Sequence, residues 1–403
     1  MSAEYWIWLQ KVLGYGSPMV SRVIANYGTA KQFYLAPDSE RIEKCRLNKF
    51  QIERLHKISR KEVFKVLQDC AKCGINIITP EDSIYPERLL NIVDPPCVLY
   101  VKGSRFDFNG IPTIAIVGPR KISDYGAKSA YVIADTLASC GFCIVSGGAL
   151  GGDSYAHLGA INANGYTIGV LGGGIESDYL KANKELRDEI AKNGCLVSEC
   201  SPYEGIRKGT FQRRNRLMSG LSNGVVVIEG DLNSGTMITA KHAVAQNRDV
   251  FAMPGCPSLT RYEGTNKLIN DGAKMLLSTN VIINEYLHLY PDKIHEPEKK
   301  TTVVDMVNSL KDVSGLQLHR DESDVNIEEP ETEERQTAKP DKGMLSDGAV
   351  RVLEVFEKID DIFTTDDAVD KLNLSSGEVI GCVTELEICG FIEAVPGGRY
   401  RLK

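Results

Sequence analysis

The segment that decides the fold is Ile114-Ala-Ile-Val-Gly-Pro-Arg-Lys-Ile-Ser-Asp-Tyr-Gly126. Its first four residues are apolar and mostly β-branched, which predicts a buried strand that ends at Gly118. A helix is expected to begin soon afterwards, so Gly118, Arg120 and Ser123 lie where the amino end of a helix presents unpaired N–H groups. The segment therefore indicates an α/β unit whose turn binds phosphate, although Arg120 alone also fits a surface arginine paired with an acid.

Runs of the same kind recur before and after this segment, and helical patterns separate them. They begin at Ile75, Val98, Cys143, Thr167, Cys195, Gly224 and Asp249. Most are apolar on both faces, as parallel strands covered by helices must be. Residues 75–291 therefore predict a doubly wound α/β sheet, in which the turns of adjacent strands share one crevice.

The flanking regions differ from this core in hydrophobic periodicity and composition. Residues 1–74 show helical spacing interrupted by glycine and proline, which predicts a small helical domain. Periodicity fails after residue 292, and the acidic stretch 320–334 has almost no large apolar side chains, so we expect a disordered linker over 292–346. Residues 347–403 predict three helices followed by a glycine-turned hairpin, which is the order of a winged-helix domain.

The composition narrows the possible functions. The 403 residues carry a net charge of −7, so any nucleic-acid site must be a local basic patch. The eleven cysteines are scattered and the chain starts without a signal-peptide pattern, which favours reduced thiols in the cytoplasm. No apolar run approaches the ~18 residues of a membrane-spanning helix. Without an ATPase phosphate loop, a nicotinamide fingerprint or a nucleophile elbow, we expect neither an enzyme nor a small-molecule cofactor.

Two Cys-x-x-Cys pairs, Cys70/Cys73 and Cys140/Cys143, raise the question of a zinc site. The pairs lie much further apart than the roughly 15–20 residues of a zinc ribbon. Cys143 also falls in a strand-like run, where cysteine behaves as a small core residue. We therefore expect no metal.

A second glycine-rich turn, Ser146-Gly147-Gly148, precedes a predicted helix and adds N–H groups to the same crevice. Asp153 and His157 follow at a spacing that puts them on one helix face. A catalytic acid and base are one interpretation, whereas a helix cap and a packed histidine explain the pair equally well. A third cluster, residues 172–174, either lines the crevice or only forms a tight turn.

The densest functional signal is the basic segment 207–216. It combines cations for phosphates with a ring for base stacking, the arrangement that single strands need, whereas a merely solvated charged face rarely carries such a ring. The turn Ser234-Gly235-Thr236 opens another helix and offers a fourth anion site. Within the basic segment we expect strand contacts from Lys208, Gly209, Phe211, Arg213, Asn215 and Arg216.

These segments, taken together and in order, resemble the DNA-processing protein A family, also called DprA or Smf. The resemblance implies an extended Rossmann fold that binds single-stranded DNA, a homodimer, and loading of a RecA-type recombinase during natural transformation and homologous recombination. It rests on residues 117–126, 146–157, 211–216, 234–240, 250–255 and 264–273.

The resemblance also implies roles for single residues and domains. Arg120, Lys208 and Phe211 match the family's main strand-binding positions, and the Ser234-Gly235-Thr236 turn lies nearby. The family's first domain is often sterile-alpha-motif-like or helix-hairpin-helix-like, and residues 1–74 look similar. The predicted C-terminal winged helix recurs in many members.

This sequence departs from the family pattern at three positions. Pro119 stands where serine is usual, which removes one hydroxyl and one backbone donor from the first turn. Leu150 and Gly152 replace an arginine and an isoleucine that are common in the second turn. We expect a lower phosphate affinity and the same fold.

Two other interpretations remain open. A nucleotide-handling N-glycosidase on a Rossmann scaffold needs a carboxylate in the crevice, and Asp153 or Glu229 is the candidate.

The second interpretation is an intermolecular scaffold that binds another protein through the C-terminal domain. In that domain, Ser375 and Glu378 predict a capping box at the start of the third helix. That helix carries acidic residues where a duplex reader needs cations, so we expect it to contact protein or to autoregulate; the residues are Glu378, Glu385 and Glu387.

Overall fold

The computed structural model describes residues 2–178, 183–207, 209–297, 301–310, 347–357, 363–372, 379, 382–383, 385–387, 391–395 and 399–402. The chain forms two compact units. The first contains the N-terminal helices and the large sheet, and the second contains the C-terminal elements.

Within the described residues, nine strands form the large sheet: β1 (Asn76–Ile78), β2 (Leu99–Gly103), β3 (Thr113–Val117), β4 (Cys143–Ser146), β5 (Thr167–Leu171), β6 (Gly194–Ser198), β7 (Gly224–Val227), β8 (Asp249–Ala252) and β9 (Lys274–Met275). Their order is β1-β2-β6-β5-β4-β3-β7-β8-β9. The strands from β6 to β9 in this order run parallel, whereas β1 and β2 add as antiparallel edge strands. All eight predicted runs form strands, and the doubly wound α/β prediction is confirmed.

Helices alternate with the strands, as the sequence patterns predict. The N-terminal region contains α1 (Ala3–Leu13), α2 (Met19–Tyr27), α3 (Ala30–Leu35), α4 (Asp38–Cys45), α5 (Lys49–Lys57) and α6 (Arg60–Cys73). The sheet region contains α7 (Glu87–Leu90), α8 (Asp124–Ser139), α9 (Gly152–Asn162), α10 (Lys184–Asn193), α11 (Thr210–Leu221), α12 (Gly235–Ala245), α13 (Glu263–Asn270), α14 (Asn280–Tyr286) and α15 (Val303–Ser309).

Alternate residues of the central strand β3 enter two different layers. Ile114 and Ile116 pack with α8, α9, α14 and α15 on one face. Ala115 and Val117 pack with α11 and α12 on the other face. Because successive side chains of a strand point to opposite faces, helices on both sides require the apolar run that the sequence shows.

The chain reverses its direction across the sheet at β3. It proceeds from β3 through β4 and β5 to β6 on one side, and then returns to β7 on the other side of β3. At such a reversal the turns at the carboxyl ends of the strands diverge and leave a crevice. The reversal places the predicted glycine-rich turns at one edge of the sheet.

The N-terminal helices share a core with the sheet. Trp6 and Val12 of α1 are buried with Tyr100 of β2, Ile190 of α10 and Leu196 of β6. The boundary predicted between residues 74 and 75 falls between α6 and β1, but the helices belong to the same compact unit as the sheet. The helical region and the sheet therefore bury one apolar layer together, and the helical domain over residues 1–74 stays a prediction.

Residues 301–310 correct the predicted linker. α15 packs on α8 and buries Val303 and Val307, which are at most 6% exposed. Thr302 and Asp305 form a capping box, and Val303 N donates to Leu277 O at 2.9 Å. Two valines one helical turn apart give this short segment an apolar face, although the sequence beyond it is acidic. The stretch 320–334 lies outside the described residues.

The second unit contains α16 (Asp347–Phe356), β10 (Phe363–Thr364), α17 (Thr365–Leu372), β11 (Ile392–Val395) and β12 (Arg399–Leu402). The described residues between 379 and 387 are helical, and the strands pair antiparallel in the order β10-β12-β11. Phe356 stacks on Phe363 in the core, with 3.8 Å between ring centres. This order of elements agrees with the predicted one, while the winged-helix assignment stays a prediction. Ser375 and Glu378 lie outside the described residues.

Candidate functional site

Four turns meet at the carboxyl edge of the parallel strands. They comprise residues 172–174, 147–148, 118–123 and 228–234, which follow β5, β4, β3 and β7. These four strands are neighbours in that order. The sheet therefore brings together turns that the sequence distributes over more than a hundred residues, and α11 and its basic segment pack beside them.

The turns after β3 and β4 pack backbone against backbone. A Cβ atom on Gly152 would lie 2.6 Å from Gly118 Cα, closer than any side chain tolerates. Gly152 N donates to Pro119 O at 3.1 Å. Gly151 has φ +79°, and a Cβ there would lie 2.3 Å from Arg120 O. Glycine at position 152, where the resemblance predicts isoleucine, permits this close approach.

Arg120 and Phe211, both predicted strand contacts, lie side by side. The guanidinium carbon of Arg120 lies over the Phe211 ring, 5.1 Å from its centre. Phe211 belongs to the first turn of α11 and rests on Gly172, where a Cβ would lie 3.1 Å from two ring atoms. Both side chains remain partly exposed. A cation beside a ring can bind the phosphate and the base of a nucleotide.

Arg214 is absent from the predicted strand contacts, yet it organises the same turns. Its Nη1 donates to Gly147 O and to Val170 O at 2.5 Å each, and the residue is 7% exposed. Its guanidinium carbon lies 5.9 Å from the Phe211 ring centre. Arg214 therefore ties α11 to β5 and to the turn after β4. The spacing of three residues from Phe211, which puts both on one helix face, is the signal that identifies it.

Arg216 corrects a predicted strand contact. The residue is 2% exposed, and its guanidinium forms ion pairs with Glu199 at 2.6 Å and with Asp94 at 3.1 Å. Asn215 is 7% exposed, and its amide donates to Gly235 O at 3.2 Å while its oxygen accepts from Arg214 Nε at 3.1 Å. Because both side chains are buried and engaged within the protein, neither presents a group to a phosphate.

The Ser146-Gly147-Gly148 turn forms the floor of the crevice rather than its surface. Ser146 is fully buried and donates its hydroxyl proton to Ile116 O at 2.7 Å. A Cβ on Gly147 would lie 2.1 Å from Arg214 Nη1, and Gly148 is buried with φ +64°. The predicted strand contacts of Ser146 and Gly148 are corrected because both residues are buried, whereas Gly147 lines a small pocket beside Phe211 and its strand contact stays a prediction.

Asp153 and His157 have structural partners. Asp153 is 6% exposed and accepts from Ala149 N at 3.4 Å. Burial raises the pKa of its carboxyl group, and the Arg214 charge opposes that shift. His157 is fully buried with Nδ1 2.8 Å from Thr167 Oγ1, and burial lowers its pKa to about 3. These contacts favour a first-turn carboxylate and a packed, neutral histidine over an acid–base pair.

Ser123 caps α8 and is itself held by a buried carboxylate. Its hydroxyl accepts from Gly126 N at 3.0 Å. The same hydroxyl donates to Glu229, and Ser123 N donates to Glu229 Oε2 at 3.1 Å. Tyr262 donates to Glu229 Oε1 at 3.0 Å, and Glu229 is 1% exposed. The predicted phosphate contact of Ser123 is corrected, because Glu229 already binds both of its donors.

Gly209 and Arg213, two further residues of the basic segment, are accessible to solvent. Gly209 is exposed, has φ +82° and precedes α11. Arg213 is partly exposed, and its guanidinium lies 5.3 Å from the centre of the Tyr15 ring, so the N-terminal region adjoins this surface. Lys208 lies outside the described residues.

The turn before α12 presents an uncapped helix end. Ser234 donates its hydroxyl proton to Asp231 O at 2.9 Å and makes no side-chain cap. Gly235 is exposed, and a Cβ there would meet nothing within 4 Å, whereas Thr236 is 7% exposed. Met237 N donates to Ser234 O at 3.0 Å, so the predicted fourth anion site depends on the N–H groups of Gly235 and Thr236.

Among the described residues, no group of three His, Cys, Asp or Glu side chains is arranged to hold a metal ion. Cys70, Cys140 and Cys143 are buried free thiols, and Cys73 is a partly buried one. In the part of the chain that the structure describes, no helix is long and apolar enough to cross a membrane.

Comparison with known proteins identifies the family of this chain. The family model of DNA recombination-mediator protein A matches residues 76–287. Protein Smf of Synechocystis is 31% identical over 416 residues, which cover 98% of this chain and 98% of that protein. DNA processing protein DprA of Streptococcus pneumoniae is 35% identical over 283 residues, 70% of this chain and 98% of that protein. The X-ray structure of DprA from that species covers 71% of this chain and 98% of its own, with a TM-score of 0.63 and 32% identity. The chain therefore belongs to the DprA/Smf family of DNA recombination-mediator proteins.

Proposed function

We propose that this protein binds single-stranded DNA on the Arg120 surface, which we define as Arg120, Gly209, Phe211, Arg213 and Gly235. The observation that carries the proposal is the partly exposed Arg120 guanidinium over the Phe211 ring. A strand can lay a phosphate on the cation and a base against the ring, whereas a duplex keeps its bases stacked and paired. The exposed amino end of α12 lies on the neighbouring turn and offers N–H donors to a further phosphate.

The charge distribution supports a local site. The protein carries a net charge of −7, so its surface as a whole repels a polyanion. Of the cations in the four turns and the basic segment, Arg214 and Arg216 are buried. The described ones that remain at least partly exposed are Arg120, Lys121, Arg207 and Arg213. Strand binding should therefore depend on few phosphate contacts, and single charge removals should be measurable.

We also propose that the protein acts as a recombination mediator and not as an enzyme. Asp153 and Glu229, the carboxylates that a glycosidase would need, are buried and hydrogen-bonded within the protein. The family description, a DNA recombination mediator, supports loading of a RecA-type recombinase on the bound strand. The proposal includes a homodimer, as the resemblance implies. It also includes a cytoplasmic location and no small-molecule cofactor, as the composition and the motifs of the sequence indicate.

Fluorescence-anisotropy titration of a labelled oligonucleotide tests strand binding. Wild type should prefer the single strand over the duplex, and Arg120→Ala should weaken binding by about tenfold and lower the slope of log affinity against log salt by roughly 0.7. Arg105→Ala is a matched control, because Arg105 also lies over a ring, that of Tyr166 at 4.4 Å, beside the amino end of β6. Equal affinity of wild type and Arg120→Ala would remove Arg120 from the site.

Two further measurements separate the mediator from the enzyme. Stimulation of RecA filament growth on a strand coated with single-strand-binding protein should be lost in Arg120→Ala. Incubation with nucleoside monophosphates should release no free base. Release of base by wild type would instead favour the glycosidase.

A further inference from the structure

The carboxylate of Glu229 fills the place at the amino end of α8 that the sequence assigns to a phosphate. A Cβ on Gly126, in the first turn of α8, would lie 2.6 Å from Glu229 Oε1. The carboxylate therefore sits directly against the helix end. The positive end of the helix dipole offsets its charge, as it would offset that of a bound anion.

The carboxylate of Glu229 accepts three hydrogen bonds at this position. A buried carboxylate is destabilising unless hydrogen bonds from the protein replace those of water. Ser123 supplies two donors and Tyr262 supplies a third. Burial, and next the Glu229 charge, raise the pKa of Tyr262 to about 12, so its hydroxyl keeps the proton that it donates.

The loop that carries Arg120 is fastened at both ends. At its start, Pro119 O accepts from Gly152 N at 3.1 Å. At its end, Ser123 is bound by Glu229 through its backbone and its side chain. Arg120 lies between these two anchors, so the direction of its guanidinium towards Phe211 depends on both.

Glu229 also belongs to the neighbouring turn. It follows β7 and precedes Gly230, whose N–H donates to Arg261 O at 2.8 Å and whose carbonyl accepts from Gly264 N at 2.9 Å. Tyr262 lies between Arg261 and Gly264, in the segment that bonds to Gly230. The carboxylate is therefore held on the scaffold by contacts that do not involve the Arg120 loop, and it can act as a fixed anchor for that loop.

We propose that Glu229 is the positioning residue of the Arg120 surface, fixing the loop 118–123 so that Arg120 meets Phe211 before a strand binds. This inference rests on the proposed function. A loop ordered in advance does not lose conformational freedom on binding, so the anchor contributes to affinity without touching the strand.

A double-mutant cycle tests this role by strand affinity. Glu229→Ala should weaken single-strand binding by roughly fivefold to tenfold in the wild-type background and by less than about twofold in the Arg120→Ala background. Its salt slope should fall as that of Arg120→Ala does, by roughly 0.7, because the lost contact is the same phosphate. Glu229→Gln, which keeps an acceptor oxygen for Ser123, should recover most of the lost affinity.

Tyr262→Phe provides a second variant if Glu229→Ala does not fold. It removes one donor to Glu229 and leaves the ring in place, so affinity should fall about twofold to threefold in the wild-type background only. Tyr286→Phe is its matched control, because the buried Tyr286 donates to Asp249 at 2.7 Å, near the β9 edge of the sheet. Thermal unfolding of each variant confirms that the compared proteins are folded.

The outcomes distinguish this inference from the proposed function. Equal losses for Glu229→Ala in both backgrounds, or a Gln variant as weak as the Ala variant, overturn the positioning role. Weak binding by Arg120→Ala together with normal binding by Glu229→Ala and Tyr262→Phe overturns the inference alone. Normal binding by Arg120→Ala overturns both the inference and the proposed site.

Discussion

The guanidinium of Arg120 lies over the ring of Phe211, although the first belongs to the turn after β3 and the second to the start of α11. The ring in turn rests on Gly172 after β5. Three separate segments therefore set the relative position of one cation and one ring. Changes in any of the three should alter strand binding, even where the changed residue makes no contact with DNA.

Gly172→Ala tests the support beneath the ring. A methyl group at this position would lie 3.1 Å from two atoms of Phe211, so the ring must move by a few tenths of an ångström. We expect single-strand affinity to fall roughly threefold to tenfold, because part of the stacking free energy is lost. Gly205→Ala is the control, since its added Cβ meets nothing within 4 Å. Unchanged affinity in Gly172→Ala would show that the ring position does not matter for binding.

Arg216→Met separates stability from binding. Removal of this cation leaves Glu199 and Asp94 without their partner, and we expect the free energy of unfolding to fall by about 3–5 kcal/mol. Arg213→Met, on the same helix but partly exposed, should leave unfolding nearly unchanged and weaken strand binding instead. Urea denaturation and anisotropy titration measure the two effects. If Arg216→Met weakened strand binding and left the free energy of unfolding unchanged, Arg216 would belong to the DNA interface after all.

His157 gives stability a specific dependence on pH. The unfolded chain takes up a proton on this residue near pH 6.5, whereas burial holds the folded pKa at about 3. Between these values the unfolded state binds more protons, so the contribution of His157 is complete above about pH 6.5 and is lost as pH falls, by up to about 1.4 kcal/mol per pH unit.

His157→Gln isolates this contribution, because the amide can still bond Thr167 but does not titrate. Asp153, whose pKa burial raises, changes stability with the opposite sign and is present in both proteins. The difference in unfolding free energy between wild type and variant, measured by urea denaturation from about pH 7 to about pH 5, should therefore change steadily in favour of the variant. Parallel curves would contradict the assignment.

The packing of α15 can be tested on one helix. Val303→Ala and Val307→Ala should each lower the free energy of unfolding by roughly 1–3 kcal/mol, because both side chains are buried against α8. Val304→Ala is the matched control, since Val304 is 47% exposed. Equal effects of the three substitutions would mean that α15 is not docked in solution.

Much of the fold follows from the sequence because the parallel strands are short, apolar on both faces and bounded by glycine. The run 114–117 and its counterparts carry that pattern, and all eight become strands. β9 contains two residues, Lys274 and Met275, which are too few to show any period. α15 is likewise too short to stand out beside an acidic stretch, and the sequence does not show the contact with α8 that buries it.

The sequence predicts which segments form the candidate site, but not which of their charged side chains are buried in ion pairs. A basic run identifies α11, yet the sequence does not show that Arg216 faces Asp94 and Glu199, which are remote in the chain and acquire their positions only in the fold. For the same reason, the sequence does not show that Glu229 lies at the amino end of α8. Arg120 and Phe211 were identifiable because a cation in a glycine-rich turn and a ring in a basic run have few other uses.

The common core of the N-terminal helices and the sheet limits how this protein can be shortened. A fragment that begins at residue 75 would retain the matched family region but expose Tyr100, Ile190 and Leu196 together, all of which are at most 4% exposed in the intact chain. A contiguous apolar patch of this kind promotes self-association. The helical region therefore keeps this apolar surface from water. Its removal should yield aggregates rather than a minimal strand-binding fragment.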